Sequence, residues 1–154
     1  MLQSSVSKSK PDNVGEKTAA GIKRGMQAAA DVGFGVAFDE SPDGATSGYR
    51  MGWVEPTWVG ESLVWGNTVE YAWAIEEGLD PGHWIPTSAI PNLALWADRV
   101  IGASDPESAA WGVRQKIGER GTDGQHVAQA GVEAQNRHLH QQGLLRYIEA
   151  EFDE

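Results

Sequence analysis

The sequence predicts an α+β fold: a small antiparallel β-sheet packed with an N-terminal helix and several C-terminal helices. Three observations point to it. Apolar residues alternate with a period of two only between about residues 47 and 69. Spacings of three and four prevail on either side of that region. Glycine and proline punctuate the chain at the places where one period gives way to the other.

The first 14 residues are rich in serine and lysine, contain Pro11 and lack apolar periodicity, so they read as a flexible N-terminal arm. The rest, 15–154, reads as one α+β domain. A helix is predicted over about 15–36, with Ile22, Met26, Ala29 and Gly33 as a narrow stripe. Its many alanines and glycines leave little apolar area to bury, so it needs partners that approach closely. Asp39–Gly44 is a loop with ordinary Pro-Asp-Gly turn chemistry and without the ligand alternation of a calcium loop.

In the strand region Tyr49, Met51 and Trp53 alternate with Arg50, Gly52 and Val54, and Leu63, Trp65, Asn67 and Val69 form a second run. Pro56 and Gly60 bracket the change of direction, and Pro56 belongs at a strand end or edge. Residues 71–78 form a short helical turn closed by Gly78. After a loop at 79–86, Thr87 or Ser88 caps a helix of about 88–101 with Ile90, Leu93, Trp96 or Ala97, and Val100 as its stripe. Ser104-Asp105-Pro106-Glu107 opens the next helix with serine as its cap. Ala110, Val113 and Ile117 are its buried side, and Gly118 or Gly121 ends it. A last helical segment covers about 125–152, broken near Gly143, with Leu145, Ile148 and Phe152 as its apolar side.

The net charge is −10 and unevenly distributed. Residues 1–36 carry five basic and three acidic side chains, and the remaining 118 carry seven basic and nineteen acidic ones. Such a surface repels nucleic acid instead of gripping it, although it suits a channel through which DNA must slide. Acid excess with only Lys116 after Lys23 hints at a high-salt host. No cysteine is present, which removes disulfides, thiolate metal sites and cysteine nucleophiles. The N-terminus has no apolar stretch of a secretory signal, and no run approaches the ~20 apolar residues of a membrane helix.

The residues offer no catalytic, cofactor or metal site. His138 and His140 stand two apart, point away from each other on a helix, and read as solvated. Gly-x-Ser-x-Gly is absent, and Gly33-Phe34-Gly35 is an incomplete phosphate-loop fragment. Glu76-Glu77 is the most notable carboxylate pair, and beside the Gly78 cap it reads as a solvated edge rather than an acid/base pair. Seven tryptophans are many for so short a chain. They suit either a tryptophan-stiffened core or contact surfaces, where large apolar area and a polar handle are both useful.

The tract Gly66-Asn67-Thr68-Val69-Glu70-Tyr71-Ala72-Trp73-Ala74-Ile75-Glu76-Glu77-Gly78 resembles a signature of tailed-virus neck proteins. Downstream, Trp84-Ile85-Pro86, then Trp96-Ala97 followed by Arg-Val-Ile-Gly, then the run from Arg114 to Thr122 ending in Arg-Gly-Thr, stand in the order of that family. The chain is thus similar, over about 15–150, to the tail-completion or head–tail joining (neck) proteins of long-tailed bacteriophages and archaeal tailed viruses. It departs from them after Gly-Thr, where a Pro-Phe-x-x-Pro-Ala turn is usual and Gln125–Ala130 stands instead, so the final helix is expected to start earlier.

The resemblance implies a structural virion protein without catalytic residues, cofactor or metal, made in the host cytoplasm and located at the head–tail junction. It implies a ring, a hexamer by preference or a dodecamer, that joins the head connector or adaptor to the tail-tube or tail-terminator protein. Genomic DNA passes non-specifically through the lumen, and no membrane is involved. Tyr71, Trp73, Glu76, Glu77, Gly78, Trp84, Trp96, Gly121 and Thr122 are the motif or interface candidates. A tail-terminator or other minor tail protein is the nearest alternative, and a small hydrolase with an unrecognised site is the alternative of another class. A regulatory binding module is disfavoured by the lack of a basic face.

Overall fold

Five small residues spaced four apart organise the packing. The computed structural model describes residues 14–153, so the arm expected at 1–14 lies outside the described residues except for Val14, which opens helix α1 (Val14–Asp39). Gly21, Gly25, Ala29, Gly33 and Ala37 are buried along one side of α1. That strict spacing of four replaces the expected stripe, in which Ile22 and Met26 prove only half-buried. The reason is close approach: helices α6 (Val127–Gln142) and α7 (Leu144–Phe152) bring backbone against the seam. A Cβ on Gly21 would sit 2.5 Å from Ile148 Cα, and one on Gly33 would sit 2.7 Å from the Gly131 carbonyl oxygen. The break between α6 and α7 falls at Gly143, whose φ of 70° suits glycine.

α1 also runs past its expected end, because Ala37 and Phe38 belong to the main apolar cluster with Tyr49, Trp53 and Val127. The expected strand at 49–53 is corrected in part. Gly48–Met51 is a helical turn, α2, and the strand β1 covers Trp53–Val59. Tyr49 and Trp53 are both buried at a spacing of four, with rings 5.8 Å apart edge to face, whereas Met51 is 76% exposed. Strand β2 (Ser62–Asn67) returns antiparallel in a register from Trp53↔Asn67 to Val59↔Ser62. The register is irregular between Val54 and Thr57, where Pro56 cannot donate to the ladder. Trp53 and Trp65 pack together inside, ring centroids 5.9 Å apart, while Val54, Val59 and Val64 are exposed.

A second, two-residue ladder was not legible in the sequence. Helix α3 (Ala72–Glu77) ends in β3 (Gly78–Leu79), and β4 (Thr122–Asp123) pairs with it antiparallel through Gly78↔Asp123 and Leu79↔Thr122. Between these strands lies a helical pair, α4 (Ile90–Arg99, after a 3₁₀ turn at Thr87–Ala89) and α5 (Pro106–Arg120). Asp105, not Ser104, caps α5: its carboxylate accepts the Ser108 amide at 3.1 Å and the Ser108 hydroxyl at 2.7 Å. The Ser108 hydroxyl bond, with the amide bond behind it, holds the Asp105 carboxyl below its ordinary pKa. The whole is α+β, as the sequence predicts: helices around a small antiparallel β component.

Three further corrections concern α6 and α7. The final helix starts at Val127 and not near 125, since Gln125 and His126 donate their amides to the Ile75 and Glu76 carbonyls. Leu145 and Phe152 do not form a buried side with Ile148; they are 70% and 45% exposed, and Leu144, Tyr147 and Ile148 meet α1 instead. His138 is half-buried, with Nε2 3.0 Å from the Tyr147 hydroxyl, and so is not a solvated histidine.

Candidate interaction surface

Two surfaces gather most of the candidate residues. The first lies where the hairpin, α3 and α6 meet. Trp53 anchors its base: the indole N–H donates to the Ser41 hydroxyl at 2.6 Å, and that hydroxyl donates to the Ala37 carbonyl at 2.7 Å. Asn67 donates to the Tyr49 carbonyl at 2.7 Å and accepts the Val69 amide at 3.1 Å, which turns the chain from β2 toward α3. Trp65 donates to Gln135 of α6 at 2.9 Å. A groove of about 430 Å³ remains between these elements, lined on one side by Leu63–Asn67 and on the other by Trp73, Val132 and Gln135.

Glu76 sits at the foot of this groove. One carboxylate oxygen accepts the Tyr49 hydroxyl at 2.9 Å and the Ala128 amide at 2.8 Å, in the first turn of α6. A carboxylate there answers an unpaired helix N–H and the positive end of the helix dipole. It ties α2, α3 and α6 together, and its partners are structural groups. Burial, then the Glu76 hydrogen bond and charge, push the Tyr49 hydroxyl above the ordinary tyrosine pKa. Glu77, its neighbour in sequence, is exposed, as a solvated edge should be.

Gly78, Gly121 and Thr122, distant in sequence, come together in the β3–β4 ladder. Gly78 and Gly121 have φ of 80° and 71°, and a Cβ on either would collide with a backbone carbonyl of the opposite strand region, Thr122 and Leu79 respectively. Thr122 Oγ1 accepts the Leu79 amide at 3.1 Å. Tyr71, which precedes α3, and Trp73, in its first turn, are 49% and 57% exposed.

The second surface belongs to α5 and the loop that precedes α4. Trp84, 50% exposed, lies over Gly118, where a Cβ would strike its ring. Arg114 stands between Trp84 and Trp111, its guanidinium carbon 5.3 Å and 5.7 Å from the two ring centroids, and Nε donates to the Ile85 carbonyl at 2.7 Å. Trp96 is half-buried on α4, apart from that stack. Only Trp53 of the seven tryptophans is buried; Trp73, Trp84 and Trp111 are exposed.

Sequence reasoning missed Tyr49, Ser41, Gln135 and Arg114. Of these, only Arg114 left a signal, the i, i+3 spacing from Trp111 that puts both on one helix face. Among the described residues no group of three or more His, Asp or Glu side chains could hold a metal ion, and no helix is long and apolar enough to cross a membrane. Compared with protein-family models, curated proteins and solved structures, the chain matches none.

Proposed function

We propose that this chain is a structural subunit of the neck of a tailed virus, assembling with copies of itself into a ring, hexameric by preference, between the head connector and the tail tube. The exposure of Trp73, Trp84 and Trp111 carries the reading. Tryptophan left half in water is costly to keep on a free surface and valuable in a contact. The strongest acid/base candidate, Glu76, is committed to Tyr49 and to the start of α6, which favours a structural role over a catalytic one.

The sequence motifs that resemble neck proteins also belong to one structural unit. The Glu-Glu-Gly end of the first tract and the Arg-Gly-Thr end of the last pair as β3 and β4. A net charge of −10 suits a lumen past which DNA slides, because phosphates find few cations to hold them. The same acidity fits a virion assembled in a high-salt cytoplasm.

The reading is tested in particles. Antibodies against the chain should label the head–tail junction of virions, and particles made without it should accumulate as filled heads beside free tails. Labelling at the tail tip, or normal virions without the chain, would reject it. Labelling at the head-proximal end of free tails would favour a tail terminator.

A further inference from the structure

Two surfaces of this chain match each other. The first is the ladder of Trp84, in the loop before α4, with Arg114 and Trp111 of α5, and an open groove of about 590 Å³ beside it. The guanidinium lies 5.3 Å and 5.7 Å from the two ring centroids, so the rings stand no more than about 11 Å apart, the sum of the two. The second is the outer stripe of α7: Leu145, Glu149 and Phe152, at i, i+4 and i+7. These three share one helix face, and about 10.5 Å of helical rise separates the first from the last. All three are exposed, Leu145 most of all at 70%.

The ladder therefore reads apolar, cationic, apolar, and the stripe reads apolar, anionic, apolar, with Lys17 of α1 lying over the outer Phe152 ring at 5.5 Å. Among the described residues neither Arg114 nor Glu149 takes part in an ion pair. Charge also says where a second copy can touch. Two chains of net charge −10 repel unless a cation of one meets an anion of the other. Arg99, Arg114, Lys116 and Arg120, four of the seven basic residues after residue 36, lie on α4 and α5, against Asp98, Glu107 and Glu119 of the same helices. α7 carries Glu149 and Glu151 with one cation, Arg146, which donates to Gln142; Glu151 is already paired with Arg24 of α1 at 2.7 Å, and Glu149 is exposed.

We propose that the outer stripe of α7 in one copy docks on the Trp84–Arg114–Trp111 ladder of a second copy, with Glu149 pairing with Arg114 and Leu145 and Phe152 covering the two indoles. The contact is heterologous, since each copy gives one surface and receives the other, and repetition closes a ring if the rotation permits. This rests on the reading of the chain as a ring subunit and supplies the subunit contact. The two nearby indoles and the Ile85 carbonyl hold the planar guanidinium in place, and the same rings would exclude water from the pair.

The test uses the full chain, with mass measured by native mass spectrometry and sedimentation at moderate salt. Wild type should assemble. Glu149→Arg and Arg114→Glu should each weaken assembly at least tenfold while keeping the far-ultraviolet circular dichroism of wild type. Mixed in equal amounts, the two variants should reassemble, because each junction then pairs opposite charges in alternation. If Arg114→Glu disturbs the fold, Leu145→Asp on the exposed stripe replaces it and should likewise dissociate the assembly.

Variants that assemble as wild type does, or folded variants whose mixture stays dissociated, would overturn this contact while leaving the ring reading in place. A wild-type chain that remains a monomer at every concentration would overturn both.

Discussion

The Tyr49 hydroxyl donates to Glu76 at 2.9 Å, and the same carboxylate oxygen takes the Ala128 amide at 2.8 Å, so one residue of α3 joins the turn before the hairpin to the start of α6. Removing the acceptor should cost more than removing either donor. Glu76→Ala leaves a buried hydroxyl and a helix N–H without a partner and should destabilise the fold by about 1–3 kcal/mol, whereas Tyr49→Phe should cost about 0.5–1.5 kcal/mol. The double variant should fall short of the sum, because the two share one bond. Urea unfolding of the four proteins measures this.

Tyr49 also sets an alkaline limit. Its pKa is raised in the folded chain, first by burial and then by Glu76, above the ordinary tyrosine value of about 10. A group whose folded pKa exceeds its unfolded pKa stabilises below the unfolded value and loses that contribution as pH rises. Stability should therefore decline above about pH 10, where the unfolded tyrosine ionises. Tyr49→Phe should flatten that decline, and thermal unfolding from pH 8 to 11 tests it.

The seam of α1 makes opposite predictions for two glycines of one helix. Gly21 faces Ile148 backbone at 2.5 Å, so Gly21→Val should destabilise by about 1–3 kcal/mol or more through overpacking. Gly35 has nothing within 4 Å of a built Cβ, so Gly35→Ala should stabilise by about 0.5–1 kcal/mol through the backbone entropy that glycine loses in a helix. Thermal melts of both variants separate steric closeness from helix propensity.

Ser41 is buried at 4% exposure and bridges the Trp53 indole to the Ala37 carbonyl. Ser41→Ala should cost about 1–3 kcal/mol, since the indole N–H would lie buried without an acceptor. Ser41→Thr keeps the hydroxyl and should lose less if the extra methyl is accommodated. Denaturant midpoints compare them.

The parts of this molecule that were legible in the sequence are those in which a residue's neighbours in the chain set its conformation. The second hairpin strand Ser62–Asn67, the turn at Gly60, the Gly78 and Gly143 helix ends and the opening of α5 near Pro106 follow from period and turn chemistry. What was not legible depends on approach from afar. Tyr49 reads as a strand residue by alternation, yet packing against Trp53 and the bond to Glu76 hold it in a helical turn. Gly78 and Gly121 read as separate stops, and only the folded chain brings the short strands beside them together, Gly78↔Asp123 and Leu79↔Thr122. The α7 side chains Leu145 and Phe152 read as core by spacing. They are exposed because α1 offers its glycines to Leu144, Tyr147 and Ile148 instead.

The mass of the purified full chain in solution, measured at high salt over a wide concentration range, tests the central claim most directly. A ring predicts a discrete closed species, about 100 kDa for six copies of 16.6 kDa, that does not grow with concentration. A single 16.6 kDa species throughout, with the Trp73, Trp84 and Trp111 fluorescence reporting full contact with water at every concentration, would contradict it.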